Sequence, residues 1–154
     1  MPADESALEA LFPPTGVAAL ATIKRDGRPQ LSNITYRYEP ATRTFSVSIT
    51  DDRAKTRNMR RDPRVSLFVD SDDKWSYAVA EGEAELSPVA ADPHDDTVEQ
   101  LVELYRAVQG EHPDWDVFRA AMVADRRLLL RVRVVKGHES VPVGGQVMSL
   151  RADS

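Results

Sequence analysis

At 154 residues, 42% hydrophobic and 29% charged, the chain is long enough to bury one core without disulfide or metal staples. It has no cysteine, which excludes disulfides, thiolate metal sites and cysteine nucleophiles, and its net charge of -5 argues against broad nucleic-acid binding. Residues 1–9 are acidic without the basic start and apolar run of a signal peptide, and no apolar stretch nears the roughly 20 residues that span a bilayer. A cytoplasmic protein with neither membrane nor nucleic acid as partner is therefore expected.

Gly16 to Ile23 is a short apolar run that predicts a buried strand, and Asp26-Gly27 after it is a signal for a two-residue hairpin turn. The chain returns over Gln30 to Tyr38, with Leu31, Asn33, Thr35 and Arg37 on one side and Ser32, Ile34, Tyr36 and Tyr38 on the other. Polar groups on both faces are unusual for a plain core strand. Glu39 to Thr42 reads as a turn, and Thr44 to Ile49 as a strand that puts Phe45, Val47 and Ile49 on one face. Ala54 to Arg61 is a short helical segment stopped by Pro63. Val65 to Val69 is the next strand, and Trp75 to Leu86 a long one bent near Gly82. This meander predicts a small barrel or sandwich.

After Pro88 a polar connection leads to Thr97–Val108, where Val98, Leu101, Val102, Leu104, Tyr105 and Val108 recur at helical spacing. Asp114 to Ala124 repeats the pattern with Trp115, Phe118, Ala121 and Met122 on one stripe and Asp114 as N-cap. Arg127 to Val135 alternates apolar residues with arginine and reads as a closing strand. Beyond Lys136, Val141-Pro-Val-Gly-Gly is turn-like and the last residues are expected to fray. Neither a repeat nor a linker divides the chain, so one domain is expected over 1–154, with a core at about 14–135, a helical insertion at about 95–124 and a tail at 136–154.

The stretch Arg53-Ala-Lys-Thr-Arg-Asn-Met-Arg-Arg61 is basic within an acidic chain. It starts a helix directly after a strand, with Asp51 and Asp52 available as caps, and a helix N-terminus with bare N–H groups favours an anion. Arginine forks and lysine point charges are the side chains expected around a phosphate ester. Arg53 and Lys55, nearest the strand end, are the phosphate candidates, and the remaining arginines are expected to pair with acidic surface groups. A solvated basic helix is the competing reading. His94, His112 and His138 lack metal-ligand spacing, Asp92, Asp95 and Asp96 suit a helix start, and Trp115 and Phe118 suit a core. Asp70, Asp72 and Asp73 lack the glycine and terminal glutamate of a calcium loop, so no metal site is expected. Trp75 is read as a cofactor or interface residue as readily as a buried one.

Gly16-Val-Ala-Ala-Leu-Ala-Thr-Ile-Lys-Arg-Asp-Gly-Arg-Pro-Gln-Leu-Ser-Asn33, Arg53-Ala-Lys-Thr-Arg-Asn-Met-Arg-Arg-Asp-Pro-Arg64 and Trp75-Ser-Tyr-Ala-Val-Ala-Glu-Gly82 resemble the F420-dependent branch of the pyridoxamine-phosphate-oxidase-like superfamily. The resemblance extends over about Thr15 to Leu130 and ends before the tail. It implies a mainly β fold, a split six-stranded antiparallel β-barrel, and a homodimer with two cofactor sites at the subunit interface. It implies that Arg53, Lys55 and Thr56 hold the cofactor phosphate, that Ser48 and Ile49 lie along its ring, and that Gln30, Ser32 and Asn33 border the site. Trp75, Ser76 and Tyr77 are then contributed by the partner subunit. The implied cofactor is the deazaflavin coenzyme F420, with FMN as the alternative. The implied activity is hydride transfer to a small or medium-sized conjugated organic substrate, the cofactor carrying the difficult step. A non-catalytic F420-binding or storage protein is a further reading. Tyr36, Tyr77 or solvent would supply the proton.

Overall fold

The computed structural model describes residues 12–140 and the backbone of three short strands near the C-terminus. The elements are β1 (Thr15–Ile23), β2 (Pro29–Glu39), β3 (Thr44–Thr50), α1 (Ala54–Arg61), β4 (Arg64–Asp70), β5 (Tyr77–Leu86), α2 (Asp96–Gln109), α3 (Trp115–Ala124) and β6 (Arg127–Ser140). Strands run in the order β3-β2-β1-β4-β5-β6, all neighbours antiparallel, and β6 pairs back onto β3 from Thr44↔Arg133 to Thr50↔Arg127. That last ladder closes a six-stranded barrel and removes its free edges. β7 (Pro142–Val143) and β8 (Gln146–Val147) pair with each other, and β9 (Arg151–Ala152) joins the far end of β6.

Period-two alternation fills the interior. Leu20, Tyr36, Tyr38, Phe45, Val47, Ile49, Leu67, Leu128, Leu130 and Val132 are buried there, and Phe12 packs edge-on against Tyr38 and Phe45. The mixed polarity of β2 has a local cause. Gln30 and Ser32 share the inward parity of Ile34, Tyr36 and Tyr38, but they sit at the barrel end that α1 covers. There Asn58 donates to Gln30 Oε1 at 2.7 Å and to Thr22 Oγ1 at 3.1 Å, while Met59 of the same helix enters the core. A second cluster lies outside the barrel, where Val98, Leu101, Val102, Leu104 and Phe118 pack α2 and α3 onto the outward-facing Leu129. Asp95 caps α2 by accepting from Val98 N at 2.8 Å, and Asp114 caps α3 as its position predicts.

Several boundaries differ from expectation. Positive φ occurs at Gly27 but not at Asp26, and the bonds Gly27 N–Lys24 O and Lys24 N–Arg28 O enclose a longer loop than the two-residue turn. β5 starts at Tyr77, because Lys74 is left-handed and Trp75 N donates to the Asp73 carboxylate, so Trp75 and Ser76 belong to the loop. β6 continues past Val135 to Ser140, pairing Tyr77–Glu81 with Lys136–Ser140 across a bulge at Glu81/Gly82, so the expected tail begins inside a strand. Gly82 is where a β-carbon would strike the Arg133 carbonyl, which accounts for the bend there. The expected fraying of the last residues lies outside the described residues, as does the acidic start.

Candidate functional site: a cation-lined cleft under two helices

α1 begins without an acid. Arg53 is its N-cap with extended backbone and no side-chain cap, and no acidic residue stands in the first turn. Asp51 and Asp52 do not cap it. The Asp51 carboxylate instead takes Arg126 at 2.8 Å and Arg60 at 2.7 Å, and those two hydrogen bonds hold it below the usual carboxylate range. The turn is fixed by Thr56, fully buried, whose Oγ1 donates to the Thr50 carbonyl at 2.7 Å. A lysine in the positive first turn of a helix is electrostatically unfavourable by itself.

Lys55 points into a cleft of about 570 Å³ between the sheet and the helix pair. Asn33, Thr35, Ser48 and Arg127 form its strand side, and Leu101, Leu104, Tyr105, Val108, Phe118 and Met122 form its apolar helical side. Lys55 Nζ lies 3.5 Å from Ser32 Oγ; burial, then the charges of Arg53 and Arg127, push its pKa below the ordinary lysine value. Arg127 reaches the Ser48 carbonyl and hydroxyl only at 3.5 Å, and its Nε is buried with no acceptor. An adjoining cavity of about 590 Å³ is lined by Arg53, Arg126 and the other side of Arg127, together with Asp52 and Asp125. Three cations thus converge with no carboxylate paired to any of them among the described residues. An anion is what such a cluster lacks.

The remaining basic residues of this segment are committed elsewhere. Arg64 pairs with Asp62 at 2.7 Å, Arg57 donates to the Asp52 carbonyl at 2.8 Å, and Arg61 donates to the Ile23 carbonyl at 2.9 Å and to Asn58 Oδ1 at 3.1 Å. Of the residues expected at the site, Asn33, Ser48 and Lys55 line the cleft, Ser32 touches Lys55, and Arg53 stands in the adjoining cavity. Gln30 is taken by Asn58, and Thr56 serves the helix start. Ile49 turns into the barrel core, the face opposite Ser48. Trp75, Ser76 and Tyr77 lie away from the cleft; Trp75 is 57% exposed and Tyr77 stacks on Phe68. Tyr36 is no proton donor for this cleft, because its hydroxyl is buried inside the barrel and desolvation pushes its pKa up to about 12. Arg127 and the helical wall with Tyr105 are the residues that the sequence reading did not place here.

A closed six-stranded antiparallel barrel carrying accessory helices on its outside is the split-barrel architecture. Residues 5–140 match the family described as pyridoxamine 5'-phosphate oxidase, and the chain belongs to that family, whose members bind flavins such as FMN. Among solved structures, the chain is similar to an F420 reductase at 23% identity and TM-score 0.61, covering 89% of this chain and 98% of that one. A conserved hypothetical protein from Mycobacterium tuberculosis matches at 21% identity and TM-score 0.61, covering 86% and 79%. A heme binding protein from Mycobacterium smegmatis matches at 19% identity and TM-score 0.61, covering 99% of this chain and 59% of that one. These likenesses establish the split-barrel fold. No helix among the described residues is long and apolar enough to cross a membrane.

Proposed function

We propose that this chain is an F420-dependent oxidoreductase, transferring a hydride between reduced F420 and a small or medium-sized conjugated organic acceptor. The observation that carries it is the uncommitted cluster of Arg53, Lys55 and Arg127 beside an apolar-roofed cleft. The buried, acceptor-free Arg127 Nε suits an anionic ligand oxygen, and the resemblance of the Arg53-Ala-Lys-Thr56 segment favours the deazaflavin over FMN. When bound, that cofactor supplies the hydride. Arg53, Lys55 and Arg127 would hold its phosphate, Ser48 and Asn33 would offer polar contacts, and the Leu101, Leu104, Phe118 and Met122 wall would keep water from the ring. Tyr105 is the phenol on the cleft wall, beside the aliphatic hydroxyls of Thr35 and Ser48, and it replaces Tyr36 as the tyrosine able to hold a proton there.

A homodimer accompanies this reading. The outer face of β2, β1 and β4 carries an apolar patch among polar residues such as Asn33, Thr35 and Ser66: Leu31 (69% exposed), Val17 and Phe68 stand around Ala19 and Ala21, with Trp75 in the loop before β5. Asn33 pairs in register with Ala19 on this face and also lines the cleft, so a second copy covering the face would border the cofactor and bring its Trp75, Ser76 and Tyr77 to it. A parallel titration of ligand-free protein with F420 and FMN tests the cofactor. Quenching of F420 fluorescence at micromolar or tighter affinity, with weaker FMN binding, is expected; the reverse order would give the site to FMN. Faster oxidation of reduced F420 with quinone, nitroaromatic or tetrapyrrole acceptors is expected over acceptor alone. No acceleration across that panel would leave a binding or storage protein.

A further inference from the structure

The outer face of the barrel carries a second basic group, which the cleft at Lys55 does not use. Arg37 of β2, Ser46 of β3 and Arg131 of β6 stand side by side in register, and Thr44 and Arg133 form the next row. Strand spacing puts the Arg37 and Arg131 backbones about 10 Å apart, with Ser46 between them. None of the three guanidinium groups makes an ion pair or a hydrogen bond among the described residues, although Glu85 and Glu83 of β5 are the register neighbours of Arg131 and Arg133. With Glu99, Gln100 and Glu103 of α2 they line a cavity of about 480 Å³. It lies against a different flank of α2 from the cleft at Lys55, and Leu104 is the side chain that the two share. Of the three carboxylates lining it, Glu99 is paired with Arg119 and Glu103 with Arg106, which leaves Glu39 against three uncommitted arginines. Gln100 supplies an independent sign: its side-chain carbonyl oxygen Oε1 is buried and accepts no hydrogen bond. A buried acceptor in that state is satisfied by an N–H from outside the chain.

The geometry points to this cavity as a binding site for a short acidic peptide, with its carboxylates on Arg37, Arg131 and Arg133 and a backbone N–H on Gln100 Oε1. An arginine fork takes a carboxylate through two parallel hydrogen bonds, and arginines spread over two rows and two strands suit carboxylates carried on successive residues. The hydroxyls of Ser46 and Thr44, on the same floor, are donors for those carboxylates. An inorganic anion, or a tricarboxylate without N–H groups, would meet the arginines and leave Gln100 unsatisfied. None of Arg53, Lys55 and Arg127 lines this cavity, so the site does not depend on the cofactor reading.

The test is calorimetric titration of the full chain with the tripeptide Glu-Glu-Glu, beside Gln-Gln-Gln, which lacks the side-chain carboxylates, and tricarballylate, which lacks the N–H groups. Glu-Glu-Glu is expected to bind about tenfold more tightly than either. Arg37→Gln and Arg131→Gln, at exposed positions, should each weaken it about tenfold with the melting temperature unchanged, whereas Lys55→Ala should leave it unaltered. Gln100→Met should weaken Glu-Glu-Glu about fivefold and leave tricarballylate unaffected. No binding of Glu-Glu-Glu, or equal binding of Gln-Gln-Gln, overturns the site. A loss with Lys55→Ala as large as that with Arg131→Gln puts the peptide in the other cleft and overturns it as well. Tricarballylate binding as tightly as Glu-Glu-Glu, or Gln100→Met without effect, overturns the assignment to a peptide.

Discussion

The two ends of α1 carry the same kinds of side chain and put them to opposite uses. At its C-terminal end Arg60, Arg61 and the nearby Arg64 are each met by a carboxylate, an amide oxygen or a carbonyl, and Arg60 and Arg61 also suit the negative end of the helix dipole. At its N-terminal end Arg53 and Lys55 stand near Arg127 with no carboxylate paired to any of the three among the described residues, against the dipole and against one another. Basic residues that the fold has satisfied are structural. Basic residues left in mutual repulsion beside an open cavity mark where the molecule awaits a charge of the other sign.

Substituting the repelled cations should separate the two ends most sharply. Lys55→Ala is expected to weaken cofactor binding on the order of 10–100-fold, the scale of one hydrogen bond to a charged group, with the melting temperature unchanged or raised. An unchanged dissociation constant in a fluorescence titration would break the contrast. Arg127→Met should follow with about a tenfold loss, and a larger effect than that of Lys55→Ala would make Arg127 the principal anchor. Thr56→Val tests a residue of the same motif that serves the fold. It removes the shorter of two bonds to the Thr50 carbonyl, leaving the Arg53 N–H at 3.3 Å, so about 1 kcal/mol of stability should be lost in chemical denaturation, with a smaller loss of affinity than at Lys55. Arg64→Ala, at the satisfied end, should leave binding unaltered within error.

Proton linkage offers a finer probe. Lys55 has a folded-state pKa below its unfolded value, so between the two the unfolded chain holds more protons and the ligand-free protein gains stability as pH rises. Lys55→Met should flatten that slope. Affinity for a phosphate-bearing ligand should run the other way, falling as pH climbs through the folded-state pKa, because the anion needs the ammonium. Binding that strengthens with pH in that range would contradict the role given to Lys55.

Much of this fold was legible because local chemistry and the final environment agree. The inward Phe45, Val47 and Ile49 of β3, the stripe of Val98, Leu101 and Leu104, and the Asp114 cap all follow from periodicity and capping. The same periodicity argues against placing Ser48 and Ile49 together at a site, since neighbours on a strand face opposite ways and Ile49 already belonged to the core set. Thr56 and Gln30 were legible as part of a motif but not as structural partners, because their roles depend on how α1 docks across the barrel end. Arg127 was hidden for a different reason. It meets Ser48 across 79 positions of sequence, a contact made by strand closure and not by any local signal. Trp75 is governed by the left-handed Lys74 and the Asp73 carboxylate, which set the strand start two residues later than alternation suggests.

The rung Thr50↔Arg127 has a kinetic meaning as well as a geometric one. It is the terminal rung of the ladder that shuts the ring, so Arg127 comes to Lys55 only when the first half of the chain and the last have found each other. A ligand gripped by both would act as a clasp on the finished barrel, drawing the folding equilibrium toward it in proportion to occupancy. Cellular supply of that ligand would then govern how much of the protein survives as well as how much of it works.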